Sequence, residues 1–235
     1  MALIPKGGRN GEPPSVQFTT QRETIKVTAN ILQNEGSYYP DTDGKPIAES
    51  DFHRDPLFYL TEALNAHFRE QAEVYVSGAL MLYYEEGNPN VFVAPDVFVV
   101  FGIPKHNRRI YQTWIEGKGP DVVIEITSHL TRQEDEEEKH TLYQRLGVQE
   151  FFMYDPTSDY LQPPLRGQWL VEGTYQEMTT TQLTDGTLIL PSCLLGLQLR
   201  LENDLLRLFD PKNGEYLLTY SELVQSREKS LGPMT

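Results

Sequence analysis

Hydrophobic positions recur along the chain with two different periods, and each period predicts a different kind of element. After Asp55-Pro56, apolar residues return at helical spacing, which predicts a helix with Asp55 as its N-cap and Pro56 as its first residue. Two strand-like runs follow at residues 74–84 and 91–101, on either side of a turn-rich segment. Because Pro95 has no N–H to donate to a sheet, the second run should restart or bulge there.

The second half of the chain combines short apolar strands with a helix. An apolar strand at residues 121–126 precedes a predicted helix from Thr131 to Leu146, in which Thr131 and Glu134 fit a capping box. Further elements are predicted as strands at 151–154, 168–177 and 187–190, a tail hairpin of 205–209 with 216–220, and a short helix from Ser221. This order predicts an α/β body with a mixed sheet and antiparallel additions.

The domain organisation follows from where glycine, proline and apolar residues concentrate. Residues 1–22 are rich in glycine and proline and contain few apolar side chains, so they cannot bury enough surface to offset their ordering entropy. They are predicted to form a flexible N-terminal arm. Residues 23–201 contain no long linker and should form one domain, and residues 202–235 should pack a hairpin and a short helix on that same domain.

Charge and cysteine content narrow the function classes. The 235 residues include 34 acidic and 20 basic side chains, which give a formal net charge of −14. This net charge disfavours a protein that binds nucleic acid mainly through a positively charged surface. It does not disfavour an enzyme that binds its own metal ion. The single cysteine, Cys193, excludes an intramolecular disulfide and a multi-cysteine metal site, and we expect it to be a buried small hydrophobe.

The sequence also predicts the compartment. No apolar run approaches the ~20 residues that span a bilayer, and the N-terminus lacks the apolar region of a signal peptide. A single cysteine is typical of a reducing compartment. We therefore expect a cytoplasmic protein with no membrane partner.

Two acidic residues stand in otherwise apolar strand sequences. Asp96 lies within the run of residues 91–101, and Glu125 lies within Val-Val-Ile-Glu-Ile at 122–126. Removing an ionised carboxylate from water costs several kcal/mol unless it is paired or binds a cation, so both residues need a partner. Period-two alternation places Glu125 on the opposite strand face from Ile124 and Ile126. Two alternatives remain for either acid: an edge-strand carboxylate that faces water, or a pair with arginine.

A lysine on the following helix is the third candidate. Lys139 shares a helical stripe with Leu142, Tyr143 and Leu146, so its stem should pack toward the sheet while its ammonium group reaches the end of the 121–126 strand. The alternative is a solvated i,i+4 pair of Asp135 with Lys139.

Two carboxylates and a lysine in one place would have a defined chemical use. Carboxylate oxygens, completed by a main-chain carbonyl and waters, suit Mg²⁺ or Mn²⁺. Such an ion polarises a phosphodiester and lowers the pKa of a water, and a nearby lysine stabilises the attacking hydroxide or the transition-state charge. The trio therefore indicates metal-assisted phosphodiester hydrolysis.

Several ordered segments of the chain carry a resemblance to a known family. Pro95-Asp96 is followed by Glu125 after 29 residues. The segments are Ala-Pro-Asp-Val-Phe-Val-Val-Phe-Gly at 94–102, Arg-Arg-Ile-Tyr-Gln-Thr-Trp-Ile-Glu-Gly at 108–117, Asp-Val-Val-Ile-Glu-Ile-Thr-Ser at 121–128, and residues 139–156. The two acids resemble the PD-(D/E)XK nuclease superfamily, and the longer stretch resembles its Uma-type branch of restriction-endonuclease-like proteins. The resemblance extends from about residue 37 to the tail hairpin.

The resemblance implies a restriction-endonuclease-like core in residues 23–201, with a mixed β-sheet flanked by helices, and a C-terminal β-hairpin beyond it. It makes Asp96 and Glu125 the metal ligands and Mg²⁺, or Mn²⁺, the cofactor. The lysine expected two residues after the glutamate is replaced by Thr127, and Lys139 from the following helix takes its place. His129 stands where the family usually has proline, which concerns only the shape of that loop.

Other polar residues are weaker candidates. Asp121 belongs to a second Pro-Asp pair, but it starts the strand and should sit at the sheet's edge. Glu62 is a candidate for the extra first-helix acid that some superfamily members use. His53 precedes the predicted first helix; one alternative is that it approaches the site, and the preferred interpretation is a surface or capping histidine. The five histidines form no zinc-binding pair, so zinc is not expected.

The segment at residues 103–119 is locally basic. It contains Lys105, Arg108, Arg109 and Lys118 against the single acid Glu116, with Tyr111 and Trp114 interleaved. Arginine positions phosphates and aromatic rings stack on bases, so one interpretation is a nucleic-acid-facing loop. The other is a solvated loop whose two aromatic side chains pack into the body.

The sequence therefore predicts a metal-dependent endonuclease that hydrolyses DNA through Asp96, Glu125 and Lys139. The alternative hypothesis is a catalytically inactive nuclease fold that serves as a binding or assembly module. The acidic surface and the presence of Thr127 at the expected lysine position support this hypothesis. Superfamily members that cut both strands often pair, so a homodimer is a further hypothesis.

Five of the acidic residues form one run at 134–138, which is explained by the preference of a helix N-terminus for negative charge. We therefore expect nucleic-acid binding that is weak, strongly salt-sensitive and metal-dependent.

Overall fold

The computed structural model describes residues 38–44, 48, 50–128 and 134–231. The predicted arm at residues 1–22 lies outside these ranges, and so do His129 and Thr131, the first residue of the predicted capping box. The helical elements in the described ranges are α1 Asp51–His67, α2 Thr113–Glu116, a π-helical segment Glu134–Lys139 that runs into α3 His140–Leu146, and α4 Tyr220–Leu231.

The strands in the described ranges are short and fall into three sheets. The strands of the first half are β1 Val74–Ser77, β2 Leu82–Tyr83, β3 Phe92–Val93, β4 Val97–Phe101, β5 Tyr111–Gln112 and β6 Val122–Ile126. Those of the second half are β7 Glu150–Tyr154, β8 Leu165–Val171, β9 Thr174–Glu177, β10 Thr181–Gln182, β11 Leu188–Ser192, β12 Leu197–Glu202, β13 Leu205–Asp210 and β14 Glu215–Tyr216.

Helix α1 begins earlier than predicted. Ser50 is the N-cap, and its side chain accepts a hydrogen bond from the backbone N–H of His53. The prediction of Asp55 as the N-cap is therefore wrong, and Pro56 lies inside the helix. Serine is as good an N-cap as aspartate, and a proline this close to the start of a helix removes a single intrahelical hydrogen bond.

A six-stranded mixed sheet forms the centre of the fold, in the order β1-β4-β6-β7-β8-β9. Strands β6 and β7 are parallel and are connected through the π-helical segment and α3, while the other neighbours in this sheet are antiparallel. A parallel pair needs such a crossover because a tight turn cannot connect parallel strands. The crossover brings the helix that carries Lys139 back over the end of β6.

Both predicted strand runs of the first half are interrupted. The first breaks after Ser77, and beyond the break Ala79 adopts a left-handed φ of 49° and donates its N–H to the carbonyl oxygens of Pro95 and Asp96. The second restarts at Pro95 as predicted, since β3 ends at Val93 and β4 begins at Val97. Strand β2 of the first run and β3 of the second form a separate three-stranded sheet with β5, in the order β3-β2-β5.

The C-terminal strands form an antiparallel five-stranded sheet in the order β10-β11-β12-β13-β14. The predicted hairpin is present as β13 and β14, although β14 is shorter than predicted. The structure adds β12, which pairs with β13 and was not predicted. Residue 201, the last of the predicted domain, lies within β12, so the chain beyond it continues the same sheet.

Two hydrophobic cores lie on the two faces of the central sheet. Val122, Ile124 and Ile126 belong to the first core, which also contains leucines of α1 and of the five-stranded sheet. Val123 belongs to the second core, with Tyr143 of α3 and aromatic residues of the neighbouring strands. The alternation predicted for β6 is therefore confirmed.

The predicted mixed α/β fold class is confirmed by these sheets and helices. The helix predicted up to Leu146 is α-helical only from His140, because residues 134–139 form a π-helical turn. The expectation of a buried Cys193 is wrong, since this cysteine is exposed. Within the described part of the chain, no helix combines the length and apolar character that crossing a membrane requires.

Candidate active site

Glu125 is a fully buried carboxylate in the middle of the fold. It lies on the interior strand β6, and its side chain points to the face opposite Ile124 and Ile126. On that face Glu125 Oε1 accepts a hydrogen bond of 2.5 Å from the hydroxyl group of Tyr143. Neither alternative from the sequence fits Glu125, because it faces no water and its ionic partner is a lysine.

Lys139 is that ionic partner. Its Nζ lies 2.9 Å from Glu125 Oε2, and its side chain is 12% exposed. Lys139 is the last residue of the π-helical segment, and π-helical turns are often found at functional sites. The alternative in which Lys139 occupies a solvated helix face is therefore excluded.

Asp96 lies directly beside Glu125 across the sheet. Val97 pairs with Ile124 in the antiparallel register of β4 and β6, which places Asp96 opposite Glu125. The side chain of Asp96 is fixed at both oxygens: Oδ1 accepts from His53 Nε2 at 2.8 Å, and Oδ2 accepts from the backbone N–H of Ile126 at 2.8 Å. The site thus combines two acids from neighbouring strands with a lysine from the crossover helix.

The surroundings of Asp96 favour its ionised form. Burial raises the pKa of Asp96, but the hydrogen bond from His53, the positive charge of Lys139 and the N–H of Ile126 together hold the pKa below its ordinary value. The influence of Lys139 on Asp96 also means that one ammonium group acts on both carboxylates. Asp96 is therefore an anion at neutral pH despite its burial.

His53 contacts the candidate site, an arrangement that the sequence analysis kept only as the less favoured alternative. The expectation of a surface or capping histidine is wrong, because its side chain is 17% exposed and contacts Asp96. His53 lies in the first turn of α1, where its backbone N–H takes part in capping. The contact joins residues 43 positions apart, so it depends on how α1 crosses the sheet.

The backbone around Asp96 is held by a close approach of Gly78. A Cβ on Gly78 would lie 2.5 Å from the carbonyl oxygen of Asp96 and 2.9 Å from Thr61 Oγ1 of α1. Only glycine fits between the helix and the strand at this distance. The close approach of Gly78 and the hydrogen bonds donated by Ala79 thus fix the backbone position of Asp96.

The loop after β7 supports the end of β6. Asp155 accepts hydrogen bonds from the backbone N–H groups of Thr157, Tyr160 and Leu161. Burial raises the pKa of Asp155, but these bonds outweigh it and hold the pKa below its ordinary value. The hydroxyl group of Tyr160 bonds that of Thr127, the residue that replaces the expected lysine.

Two other candidate acids lie away from these residues. Asp121 precedes β6 at the end opposite Glu125, where it accepts from the N–H of Phe101 at 2.7 Å and pairs with Lys118 at 2.8 Å. Because β6 is an interior strand, the expectation that Asp121 lies at the sheet's edge is wrong. Glu62 is exposed on α1.

The basic residues of the 103–119 segment serve mainly as internal contacts. Arg108 pairs with Glu116 through two hydrogen bonds, and its side chain is 4% exposed. Tyr111 is fully buried. Arg109 is exposed and pairs with Asp41. These contacts favour the second interpretation, in which the segment packs onto the body.

The donor atoms of the site suit Mg²⁺. This ion prefers oxygen ligands, keeps several waters and is commonly held by one or two carboxylates. A carboxylate offers about four lone-pair positions, so Asp96 and Glu125 can each bind a cation and keep the hydrogen bonds described above. Among the residues that the structure describes, no group of three or more His, Cys, Asp or Glu side chains is arranged to hold a metal ion.

The mixed sheet, the crossover helix and the family comparison together define a restriction-endonuclease-like protein. The Uma2 family model, described as "Putative restriction endonuclease", matches residues 27–202, and the chain therefore belongs to this family. A crystal structure described as "a putative nuclease belonging to DUF820 from Anabaena variabilis ATCC 29413" is similar over 62% of this chain and 74% of that chain, with 14% identity and a TM-score of 0.44. No curated protein matches this chain.

Proposed function

We propose that this protein is a Mg²⁺-dependent endonuclease that hydrolyses DNA phosphodiester bonds through Asp96, Glu125 and Lys139. Membership of a restriction endonuclease family supports the nuclease class. The metal ion, the DNA substrate and the roles of the three residues are the proposal, and the geometry of the site supports them.

The observation that carries the proposal is the burial of two adjacent carboxylates beside one lysine. Glu125 is 0% exposed and Asp96 is 9% exposed, while Lys139 lies 2.9 Å from Glu125. Two buried carboxylates on adjacent chain segments beside a lysine are the oxygen ligands that a divalent cation such as Mg²⁺ prefers.

Each residue would have a distinct role in hydrolysis. A bound Mg²⁺ would polarise the phosphodiester and lower the pKa of a water molecule. Asp96 and Glu125 would hold the ion, and Lys139 would orient the attacking water and stabilise the negative charge that develops at the phosphate. His53 and Tyr143 each fix one carboxylate oxygen, of Asp96 and Glu125 respectively, so that both ligands are oriented in advance.

Cleavage of supercoiled plasmid DNA with Mg²⁺ or Mn²⁺ tests the proposal. We expect cleavage by the wild type that stops on addition of a chelator, and we expect Asp96→Asn and Lys139→Met to lose about 100-fold or more of the rate. Asp121→Asn is the matched control, because this aspartate also follows a proline and is also hydrogen-bonded, yet lies at the far end of β6. Cleavage unchanged in Asp96→Asn or Lys139→Met would remove that residue from the mechanism.

The same assay decides against the alternative of an inactive binding or assembly module. Metal-dependent cleavage of DNA would exclude that alternative, and a wild type that cuts neither DNA nor RNA would overturn the enzyme proposal. The expected homodimer has no support among the described residues and is not part of the proposal.

A further inference from the structure

A pocket of about 280 Å³ borders the candidate active site on the side of the crossover helix. Its wall includes Lys139, whose Nζ lies 2.9 Å from Glu125. A ligand in this pocket would therefore lie one side chain away from the proposed metal ligand. The volume is slightly below the roughly 300–1,000 Å³ typical of pockets for drug-sized ligands, so it suits a single ring system.

Two aromatic side chains form part of the pocket wall. Tyr84 follows β2, and Phe92 belongs to β3 of the small sheet. Both side chains are partly exposed, so part of their surface is available to a ligand. Aromatic rings of this kind stack on nucleobases of any sequence, because every base has a π-face.

Another part of the wall is formed by the crossover helix. Arg145 contributes a cation there and Glu138 an acid, while the ammonium group of Lys139 pairs with Glu125. The guanidinium carbon of Arg145 lies 5.4 Å from the centre of the Tyr84 ring, which is within the range of a cation–π contact. A planar cation beside a ring can stack on a base or contact a phosphate, so Arg145 complements an anionic ligand with an aromatic group.

We propose that this pocket binds one unpaired nucleobase of the nucleotide next to the bond that is cleaved. This inference rests on the proposed nuclease function and narrows its substrate class to single-stranded nucleic acid, or to a duplex with a base out of the stack. Tyr84 and Phe92 stack on the base, and Arg145 contacts its phosphate. Lys139 connects this pocket to the candidate active site.

Binding of single-stranded DNA tests the pocket separately from cleavage. The chain with Asp96→Asn is titrated with a short oligonucleotide that contains 2-aminopurine, and quenching of this base reports stacking. We expect Tyr84→Ala and Phe92→Ala to weaken binding by about 5- to 140-fold and to reduce the quenching. Tyr84→Phe keeps the ring and should bind like the parent. Tyr220→Ala is the control, because this tyrosine is 81% exposed on α4 and lies outside the pocket.

Two further variants keep the test decisive if loss of Tyr84 or Phe92 unfolds the protein. Arg145 and Thr141 are exposed, so their substitution leaves the core intact. Arg145→Gln should lower the salt dependence of binding, with a slope of log K against log salt that is smaller by about 0.7. Thr141→Leu should occupy part of the pocket without adding an aromatic ring, and it should reduce the quenching.

The outcomes separate this inference from the proposed function. Cleavage by the wild type with unchanged oligonucleotide binding in all pocket variants would overturn the pocket while the nuclease remains. Weakened binding and lost quenching in these variants, with no cleavage by the wild type, would support the pocket and overturn the nuclease. A preference for fully paired over single-stranded DNA that the pocket variants leave unchanged would also contradict the inference.

Discussion

Replacement of Lys139 by methionine removes the ammonium group beside Glu125 and keeps an unbranched apolar stem. Because Glu125 is fully buried and Lys139 is 12% exposed, the pair belongs with buried rather than surface ion pairs. Loss of one partner leaves a buried charge uncompensated. The variant should therefore be destabilised well beyond the effect of an ordinary surface substitution.

The distance between the two charges gives the magnitude. At 2.9 Å, two unit charges attract by about 6 kcal/mol at an effective dielectric constant of roughly 20. Part of this attraction offsets desolvation, and breaking buried pairs typically costs about 3–5 kcal/mol. We expect Lys139→Met to lower the free energy of unfolding by about 3–5 kcal/mol, a large fraction of the roughly 5–15 kcal/mol of a typical domain.

Urea denaturation without divalent metal measures this loss. The matched control is Lys229→Met on α4, an exposed lysine for which we expect a change within about 0.5 kcal/mol. In the Glu125→Gln background, Lys139→Met should cost much less, because no carboxylate is left without its cation. Addition of Mn²⁺ should stabilise Lys139→Met more than it stabilises the wild type, since the ion can supply the missing positive charge.

Two results would refute the reasoning. A loss below about 1 kcal/mol would place the pair among surface salt bridges, which contribute roughly 0–1 kcal/mol. An equal loss in the Glu125→Gln background would show that Lys139 acts through its packing and not through its charge.

Three further changes probe how the site is held. Gly78→Ala should cost about 1–3 kcal/mol in thermal denaturation and lower the cleavage rate, because the new methyl group meets the Asp96 carbonyl oxygen; an unchanged melting temperature would contradict this close approach. Tyr143→Phe should cost about 1–3 kcal/mol, since Glu125 loses a donor, whereas urea curves that overlay the wild type would show that the bond is unimportant. Asp155→Asn should lower the free energy of unfolding at pH 7, and by less below about pH 4. The reason is that a carboxyl group whose pKa is lowered by folding contributes stability above its unfolded-state pKa, and this contribution is lost as the pH falls through its folded-state pKa. A pH-independent difference would refute that assignment.

Candidate site residues could be predicted from the sequence where a charged side chain interrupts a regular pattern of apolar residues. Glu125 follows the strict period of β6, so the sequence alone assigned it to the face opposite Ile124 and Ile126. Lys139 shares a helical stripe with the core residue Tyr143, and the structure brings both to the same carboxylate. These features are local, because the strand pleat and the helical repeat determine them without knowledge of the tertiary fold.

His53 could not be assigned in the same way. Its contact with Asp96 depends on the position of α1 over the sheet, and this position depends on the close approach at Gly78. A histidine near the start of a helix is equally compatible with capping, and no periodic signal separates the two roles. The sequence signal available for this contact was the combination of His53 near the start of an apolar helix with Gly78 in the strand run that precedes Pro95-Asp96.

The strand boundaries differ for two separate reasons. The break at Ala79 depends on hydrogen bonds to Pro95 and Asp96, which are distant in sequence. Strand β12 is different, since Leu197, Leu199 and Leu201 alternate with polar residues and all three are buried. That period-two pattern was sufficient to predict β12 from the sequence.

The central claim is that Asp96 and Glu125 hold one divalent metal ion beside Lys139. The most direct test is a crystal structure of the wild type soaked with Mn²⁺, in which anomalous scattering locates the ion. The account predicts a peak about 2 Å from a carboxylate oxygen of each acid, and the loss of this peak in crystals of Glu125→Gln. A peak elsewhere, or no peak between the two carboxylates, would contradict it.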